Sequence, residues 1–300
     1  MCGIVGLFLK NAEMGDRLGR HFAPMLREMS ERGPDSAGFA IYRNGAAPGS
    51  TKFTLFHADE DFAWEPLAKS LGKDLGRKAT VRQVATHAVL TVKAPVEALR
   101  GWLAEHHPEV RVVGFGDTVE VYKEKGNPEE VVERFALAEM TGTHALGHTR
   151  MATESAVTTQ HSHPFSTGLD LCLVHNGSLS NHNRLRLWLK KHGVTFETDN
   201  DSEVAAGYLT HRMGEGASLD EALEAAVKDL DGFYTFAVST RSGFAVLRDG
   251  IACKPAVLAE TDDWVAMASE YRAIGSLPGA ETARIWEPKP AVVYHWELGR

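Results

Sequence analysis

Three hundred residues with 43% hydrophobic and 24% charged side chains hold enough apolar material for a packed core, which excludes disordered and fibrous classes. Thirty-two Lys and Arg stand against forty Asp and Glu, a formal net charge of -8, opposite in sign to what a general nucleic-acid binder requires. No run of eighteen apolar residues could span a membrane, and the opening segment Met1-Cys2-Gly3-Ile4-Val5-Gly6-Leu7-Phe8-Leu9 lacks the basic flank and cleavage site of a secretory signal. The cysteines, Cys2, Cys172 and Cys253, are odd in number and without patterned spacing. They indicate neither a disulfide framework nor a cysteine zinc site, and the expected compartment is a reducing cytoplasm.

In chain order, Gly3 to Leu9 reads as a strand. Leu18, Phe22, Met25, Leu26 and Met29 fall at helical spacing. Glu31 to Ser36 breaks the pattern with Gly33 and Pro34. Gly38 to Arg43, the dipeptide Asn44-Gly45, and Thr51 to Phe56 predict a hairpin, because Asn-Gly suits the tight turn between paired strands. From about Asp59 to Met140 the texture changes. Thr86 to Lys93, Val110 to Phe115 and Thr118 to Tyr122 read as strands, and Pro95 to His106 and Pro128 to Leu137 as helices. This βαββα run predicts a small inserted subdomain at about 59–140, within a domain spanning 1–300.

Strands return at Ala145 to Met151 and Leu169 to His175. Helices follow at Asn183 to His192, Ser202 to Met213 and Leu219 to Leu230. Five further strands are predicted, at Phe233 to Ser239, Gly243 to Arg248, Ala256 to Glu260, Trp264 to Ala268 and Ala291 to Trp296. Strands and helices without strict alternation indicate an α+β class.

Cys2 carries the first chemical signal. Removal of Met1 would place its thiol and its own α-amine on one carbon. An α-amine titrates near ~8, close enough to neutrality to serve as the base that activates the thiol. Alone, a cysteine here is more often inert. Four other stretches give it context: Arg32-Gly33-Pro34-Asp35-Ser36-Ala37-Gly38, Gly147-His148-Thr149-Arg150, Val174-His175-Asn176-Gly177 and Thr198-Asp199-Asn200-Asp201-Ser202-Glu203. With Met1-Cys2-Gly3-Ile4-Val5-Gly6 they make five ordered motifs. Together they resemble the class II, amino-terminal-nucleophile family of glutamine amidotransferases. The resemblance covers residues 2–57 and about 143–270, and Ser269-Glu270 matches a late motif of that family.

The resemblance implies a four-layer αββα fold in which Cys2 attacks the side-chain amide of glutamine. A thioester forms, ammonia leaves and water releases glutamate. Asn176 and the Gly177 backbone N–H are then expected to form the oxyanion hole, where preorganised donors typically contribute ~3 kcal/mol each. Arg150 is expected to clamp the glutamine α-carboxylate, a bidentate match that lysine cannot reproduce, and Asp201 to take its ammonium. Thr149 and His163 are expected to border the substrate pocket. His175 is read as supporting rather than catalytic, and Cys172 and Cys253 as structural. Metal binding by the cluster His144, His148, His161, His163, His175 and His182 is not expected: no carboxylate or cysteine joins it at zinc-like spacing, and the family needs no metal.

Met151 stands where several relatives carry tryptophan, and Asn200 where they often carry serine or glutamate. No phosphoribosyl-binding acidic run, sugar-isomerase region or ATP-binding loop follows the motifs. The expectation is therefore a stand-alone subunit that feeds ammonia to partner synthase subunits, as in glutamate-synthase-like or N-methylglutamate synthase systems. This chain is expected to hold no cofactor; flavin or iron–sulfur groups are assigned to the partners. The alternative is a non-catalytic subunit that binds glutamine or glutamate and regulates such a complex.

Overall fold

The computed structural model describes residues 2–152 and 157–299. In chain order the strands are β1 (Gly3–Leu9), β2 (Ser36–Tyr42), β3 (Thr51–Phe56), β4 (Ala79–Val84), β5 (His87–Val92), β6 (Arg111–Gly116), β7 (Val119–Lys125) and β8 (His144–Arg150). They continue as β9 (Phe165–Gly168), β10 (Leu171–Leu179), β11 (Gly232–Ser239), β12 (Gly243–Arg248), β13 (Val257–Glu260), β14 (Trp264–Ala268), β15 (Arg284–Trp286) and β16 (Val293–Glu297). The helices are α1 (Leu18–Glu28), α2 (Trp64–Asp74), α3 (Val96–His106), α4 (Pro128–Arg134), α5 (His182–Lys191), α6 (Asp201–Gly214) and α7 (Leu219–Asp229).

β1 is buried at every position and so reads as a continuous apolar run, because both of its faces meet other layers. It sits inside a seven-stranded sheet of order β15-β13-β14-β1-β8-β2-β7. A five-stranded sheet of order β16-β12-β11-β10-β9 stacks against it. Between the sheets, Ile4, Phe8, Tyr42 and Leu146 of the first meet Val174, Ala237, Phe244 and Val246 of the second. The outer face of the large sheet packs on Phe22, Met25 and Leu26 of α1 and Val131 of α4. The outer face of the smaller sheet packs on Val204 and Tyr208 of α6 and Leu223 of α7. Helices, sheet, sheet and helices make the αββα order of an amino-terminal-nucleophile fold.

Two expectations about the middle of the chain are corrected by the strand pairing. The 38–56 hairpin does not form. β2 lies between β8 and β7, so both of its edges are occupied, and β3 pairs with β5 and β6. β3-α2-β4-β5-α3-β6 builds a separate antiparallel sheet of order β4-β5-β3-β6, the βαββαβ arrangement of ferredoxin-like units. That unit occupies residues 51–116, not 59–140, and β7 and α4 belong to the main body. Its own core holds Phe53, Leu55, Trp64, Leu67, Leu90, Leu99, Trp102 and Phe115. One buried carboxylate ties it to the large sheet: Glu120 of β7 accepts from Lys52 of β3 at 3.2 Å and from Arg82 of β4 at 2.7 Å.

Candidate active site

Cys2 directly precedes β1, and β1 pairs with β8 in a register that sets Gly3 opposite Thr149. Asn176 and Gly177 lie on β10 of the other sheet. The strand was expected to end at His175; it continues through both residues, opposite Thr235 and Tyr234 of β11. The inter-sheet packing thus brings residues from separate sheets to one place. Cys2, Arg32, Met151, Asn176, Gly177, Lys254 and Pro255 line a cavity of about 260 Å³.

Asn176 is held at both ends of its reach. Its Nδ2 donates to the Cys2 carbonyl at 3.1 Å and to Ser269 Oγ at 3.2 Å, and its Oδ1 is buried without a partner among the described residues. Ser269 Oγ also accepts from the Ile4 N–H at 2.9 Å, while the Ser269 N–H donates to the Ile4 carbonyl at 2.9 Å. The start of β1 is therefore fixed to Ser269, just beyond β14. Gly177 has φ +143, and a Cβ there would lie 1.9 Å from the Phe233 carbonyl oxygen. No side chain fits, so the backbone at 177 stays open to the cavity.

Arg32 was legible only as part of a motif, with no role assigned. Its Nε donates to the Cys2 carbonyl at 3.0 Å, and its Nη1 pairs with Glu270 at 2.6 Å. Gly33 beside it has a steric reason. A Cβ would lie 2.4–2.5 Å from the backbone of Thr149 and Arg150, so this loop lies directly on the end of β8. Asp35 closes the same corner: its N–H donates to the Arg150 carbonyl at 3.1 Å, and its Oδ2 accepts from the Ala152 N–H at 2.7 Å.

Arg150, Thr149, His163 and Asp201 are not in the lining of the Cys2 cavity. Arg150 is 7% exposed at the end of β8, next to the cavity-lining Met151. Thr149 is buried, with Oγ1 donating to the Met29 carbonyl at 2.9 Å. Asp201 opens α6, capped by Asn200, whose side chain accepts from the Ser202 N–H. One Asp201 oxygen accepts from the Leu179 N–H at 2.9 Å and the other lies 3.8 Å from His175 Nδ1. Ser202 Oγ lies 2.9 Å from His163 Nε2 and from His175 Nδ1, joining the two rings. His148 stacks on His163 at 3.9 Å and donates through Nε2 to the His175 carbonyl at 3.1 Å.

Burial drives all three histidines toward the neutral form. His148 is pushed down to about 3, by desolvation first and by the neighbouring His175 next. Desolvation holds His163 well below the usual imidazole range and lowers His175 against the opposing pull of Asp201. The trio is thus a buried cluster of rings joined through Ser202 Oγ and the His175 carbonyl, with His175 next to Asn176 and Ser202 next to Asp201 in the chain. Cys172 is the buried thiol expected of a core residue, pushed up to about 12 by desolvation. Cys253, read as structural, is exposed instead. Loop 249–255, which sequence reasoning passed over, brings Lys254 to the cavity. Arg248 donates to the Lys254 carbonyl at 2.8 Å and Asp249 accepts from the Ile251 N–H at 2.7 Å, and no local periodicity announces either anchor.

A family model described as a glutamine amidotransferase domain matches residues 148–276. The chain is 55% identical, over 99% of its length and 98% of the relative's, to the glutamine amidotransferase-like protein GlxB of Rhizobium meliloti. It is 31% identical to a putative glutamine amidotransferase of Methanothermobacter thermautotrophicus, over 99% of this chain and 100% of that one. Among solved structures, the glutamine phosphoribosylpyrophosphate amidotransferase from B. subtilis, described as complexed with ADP and GMP, is similar in fold, with a TM-score of 0.63 at 18% identity. The match covers 99% of this chain and 47% of that one, so the chain spans about half of that structure. No described helix is long and apolar enough to cross a membrane. Relatives matched over nearly their whole lengths, together with the four-layer fold and the ordered motifs, place this chain in the class II glutamine amidotransferase family.

Proposed function

We propose that this chain hydrolyses the side-chain amide of glutamine through Cys2 and passes the ammonia to separate synthase subunits. The observation that carries this reading is the convergence of Cys2, Asn176 and Gly177 on one cavity from two different sheets. Removal of Met1 frees the Cys2 α-amine, which takes the thiol proton as sulfur attacks the amide carbon. The carbonyl oxygen becomes an oxyanion and is held by Asn176 Nδ2 and the Gly177 N–H. The tetrahedral intermediate collapses, the carbon–nitrogen bond breaks, and the α-amine returns its proton to the departing ammonia. Water, deprotonated by the same amine, then cleaves the thioester and releases glutamate.

Arg150 binds the glutamine α-carboxylate and Asp201 its ammonium, with Thr149 and His163 bordering the pocket. Asp201 keeps one oxygen on the Leu179 N–H, so this interaction fixes the carboxylate that meets the substrate. Arg32 positions the nucleophile through the Cys2 carbonyl. The ammonia acceptor belongs to a glutamate-synthase-like or N-methylglutamate synthase system, with flavin or iron–sulfur groups on the partner subunits. Two measurements on the purified chain test the hydrolytic core. The intact mass should show loss of Met1, and Cys2→Ala should lower glutamate release from glutamine at least ~1,000-fold while keeping the wild-type melting curve. Retention of Met1 with no glutamate release would instead make the chain a non-catalytic glutamine-binding subunit. Co-purification of a cofactor-bearing synthase subunit tests the acceptor assignment, and reproducible isolation of the chain without one would overturn it.

A further inference from the structure

A second cavity, of about 250 Å³, lies where the 51–116 unit meets the main body. Edge strand β6 and helix α3 form one wall, and β9 with the α5–α6 loop form the other. Its floor is apolar, from Val112, Phe115, Phe165 and Val194. Three cations and three carboxylates stand around that floor: Arg100, Arg111, Lys123, Glu97, Glu197 and Glu203.

Most of these charges are already occupied. Arg100 pairs with Glu197 at 3.0 Å. Lys123, buried on β7, donates to the carbonyls of Gln160, Ser162 and Pro164 at 3.3, 2.9 and 3.3 Å. Glu203 accepts from the Glu197 and Thr198 N–H groups at 2.8 Å each. Glu97 and Arg111 remain; both are exposed and have no ion pair among the described residues. One free carboxylate and one free guanidinium beside an apolar floor match a small molecule carrying one cation, one anion and a short apolar body. A simple anion or a simple cation would satisfy only half of that pattern.

We infer that this interface cavity binds a zwitterionic α-amino acid with a small apolar side chain, and that its occupancy tunes the glutamine pocket. Binding itself requires only the cavity, whereas the regulatory half rests on the glutaminase reading above. The two cavities have no lining residue in common, but a chain of contacts runs from this one toward His163 and Asp201. Lys123 grips the carbonyls on both sides of His163, and His163 lies 2.9 Å from Ser202 Oγ. Glu203 shapes the Glu197–Thr198 turn that leads into Asp201. A ligand that stiffens these walls favours one placement of His163 and Asp201. By linkage, glutamine would change the affinity for that ligand by the same factor.

The probe is L-valine, titrated by calorimetry into the full-length Cys2→Ala chain with L-glutamine present, so that the Cys2 pocket is already filled. Saturable binding is expected. Glu97→Gln and Arg111→Gln should each weaken it at least 10-fold, as should Val112→Trp, which fills the cavity. Isobutyrate and isobutylamine, which each keep one charge, should bind at least 10-fold more weakly than valine. In the Cys2-intact chain, valine should shift the KM for glutamine at least 3-fold, and Arg111→Gln should abolish the shift without altering basal turnover. No saturable binding, or binding untouched by all three substitutions, would overturn the site. Binding with an unchanged KM would overturn the coupling. A chain that binds valine but hydrolyses no glutamine would leave the site standing and remove the glutaminase reading instead.

Discussion

Asn176 is anchored beside the proposed nucleophile, its Nδ2 donating to the Cys2 carbonyl and to Ser269 Oγ, and the proposed oxyanion role requires one of these N–H groups to turn to the substrate. Asn176→Asp keeps the size and replaces that donor with an anion where negative charge develops. Turnover should fall ~100-fold or more with a smaller change in KM; steady-state kinetics at saturating and limiting glutamine separate the two, and an unchanged kcat would move the oxyanion hole elsewhere. Cys2, Arg150, Asn176 and Asp201 were singled out because each sits in a short motif; the structure puts Cys2 and Asn176 on one cavity and leaves Arg150 and Asp201 outside its lining. Arg32 and Ser269 act through contacts 30 and 93 positions away, to Cys2 and Asn176, and no local pattern records a contact across that separation. Gly177 was singled out for its backbone N–H, but the strand was expected to end at His175, whereas β10 runs through Gly177 to Leu179.

At the scale of elements, the end of β8 depends on the loop that follows α1. Gly33 lies against the Thr149 and Arg150 backbone with no room for a methyl group. Gly33→Ala should force the loop and β8 apart and cost about 1–3 kcal/mol. Because Arg150 ends that strand, the same change should raise the KM for glutamine. Chemical denaturation together with kinetics checks both effects, and a wild-type KM at reduced stability would detach Arg150 from substrate binding. Strand boundaries were read well where burial on both faces produces an unbroken apolar run, as in β12 and β14, which fall where the pattern placed them. The β2–β3 hairpin was misread because Asn44-Gly45 is a local signal, whereas partner choice is settled by non-local burial. Both edges of β2 are taken by β8 and β7, and β3 turns away to found another sheet. Helix α2 went unread, although Trp64, Leu67, Ala68 and Leu71 are spaced to bury one face.

The whole molecule buries several imidazoles in its layers, His87, His144, His148, His163 and His175. Desolvation pushes His87 down to about 3, His144 to about 4 and His148 to about 3. His87 belongs to the 51–116 unit, whereas His144 and His148 share β8 at the centre of the large sheet. Each folded-state value lies below the unfolded value of 6.5, so the unfolded chain binds more protons between the two. Stability is therefore full above pH 6.5 and is lost as pH falls toward 3–4. Each ring contributes on the order of 1 kcal/mol of loss per pH unit in that window, so together they remove a substantial part of ordinary domain stability. Urea midpoints should drop steeply between pH 6.5 and 5, and His144→Gln should flatten the slope by about one proton; a midpoint independent of pH over that range would contradict the burial of these rings.

The α+β class was legible from the mix of strands and helices, whereas the αββα layering followed only from the family resemblance, because strand spacing alone does not record which faces stack. The separate βαββαβ sheet was legible only in part, because its first strand looked like half of a hairpin and its last neighbour, β7, belongs to the main body. The catalytic account rests on one thiol among three, distinguished by its place in the fold: Cys2 faces a cavity, Cys172 is buried and Cys253 is exposed on a loop. Reaction with a glutamine-analogue electrophile followed by peptide mass spectrometry tests that claim most directly. The account predicts one adduct per chain, on Cys2 of a peptide lacking Met1, suppressed by added glutamine. An adduct on Cys172 or Cys253, or labelling of Cys2 that glutamine does not suppress, would contradict it.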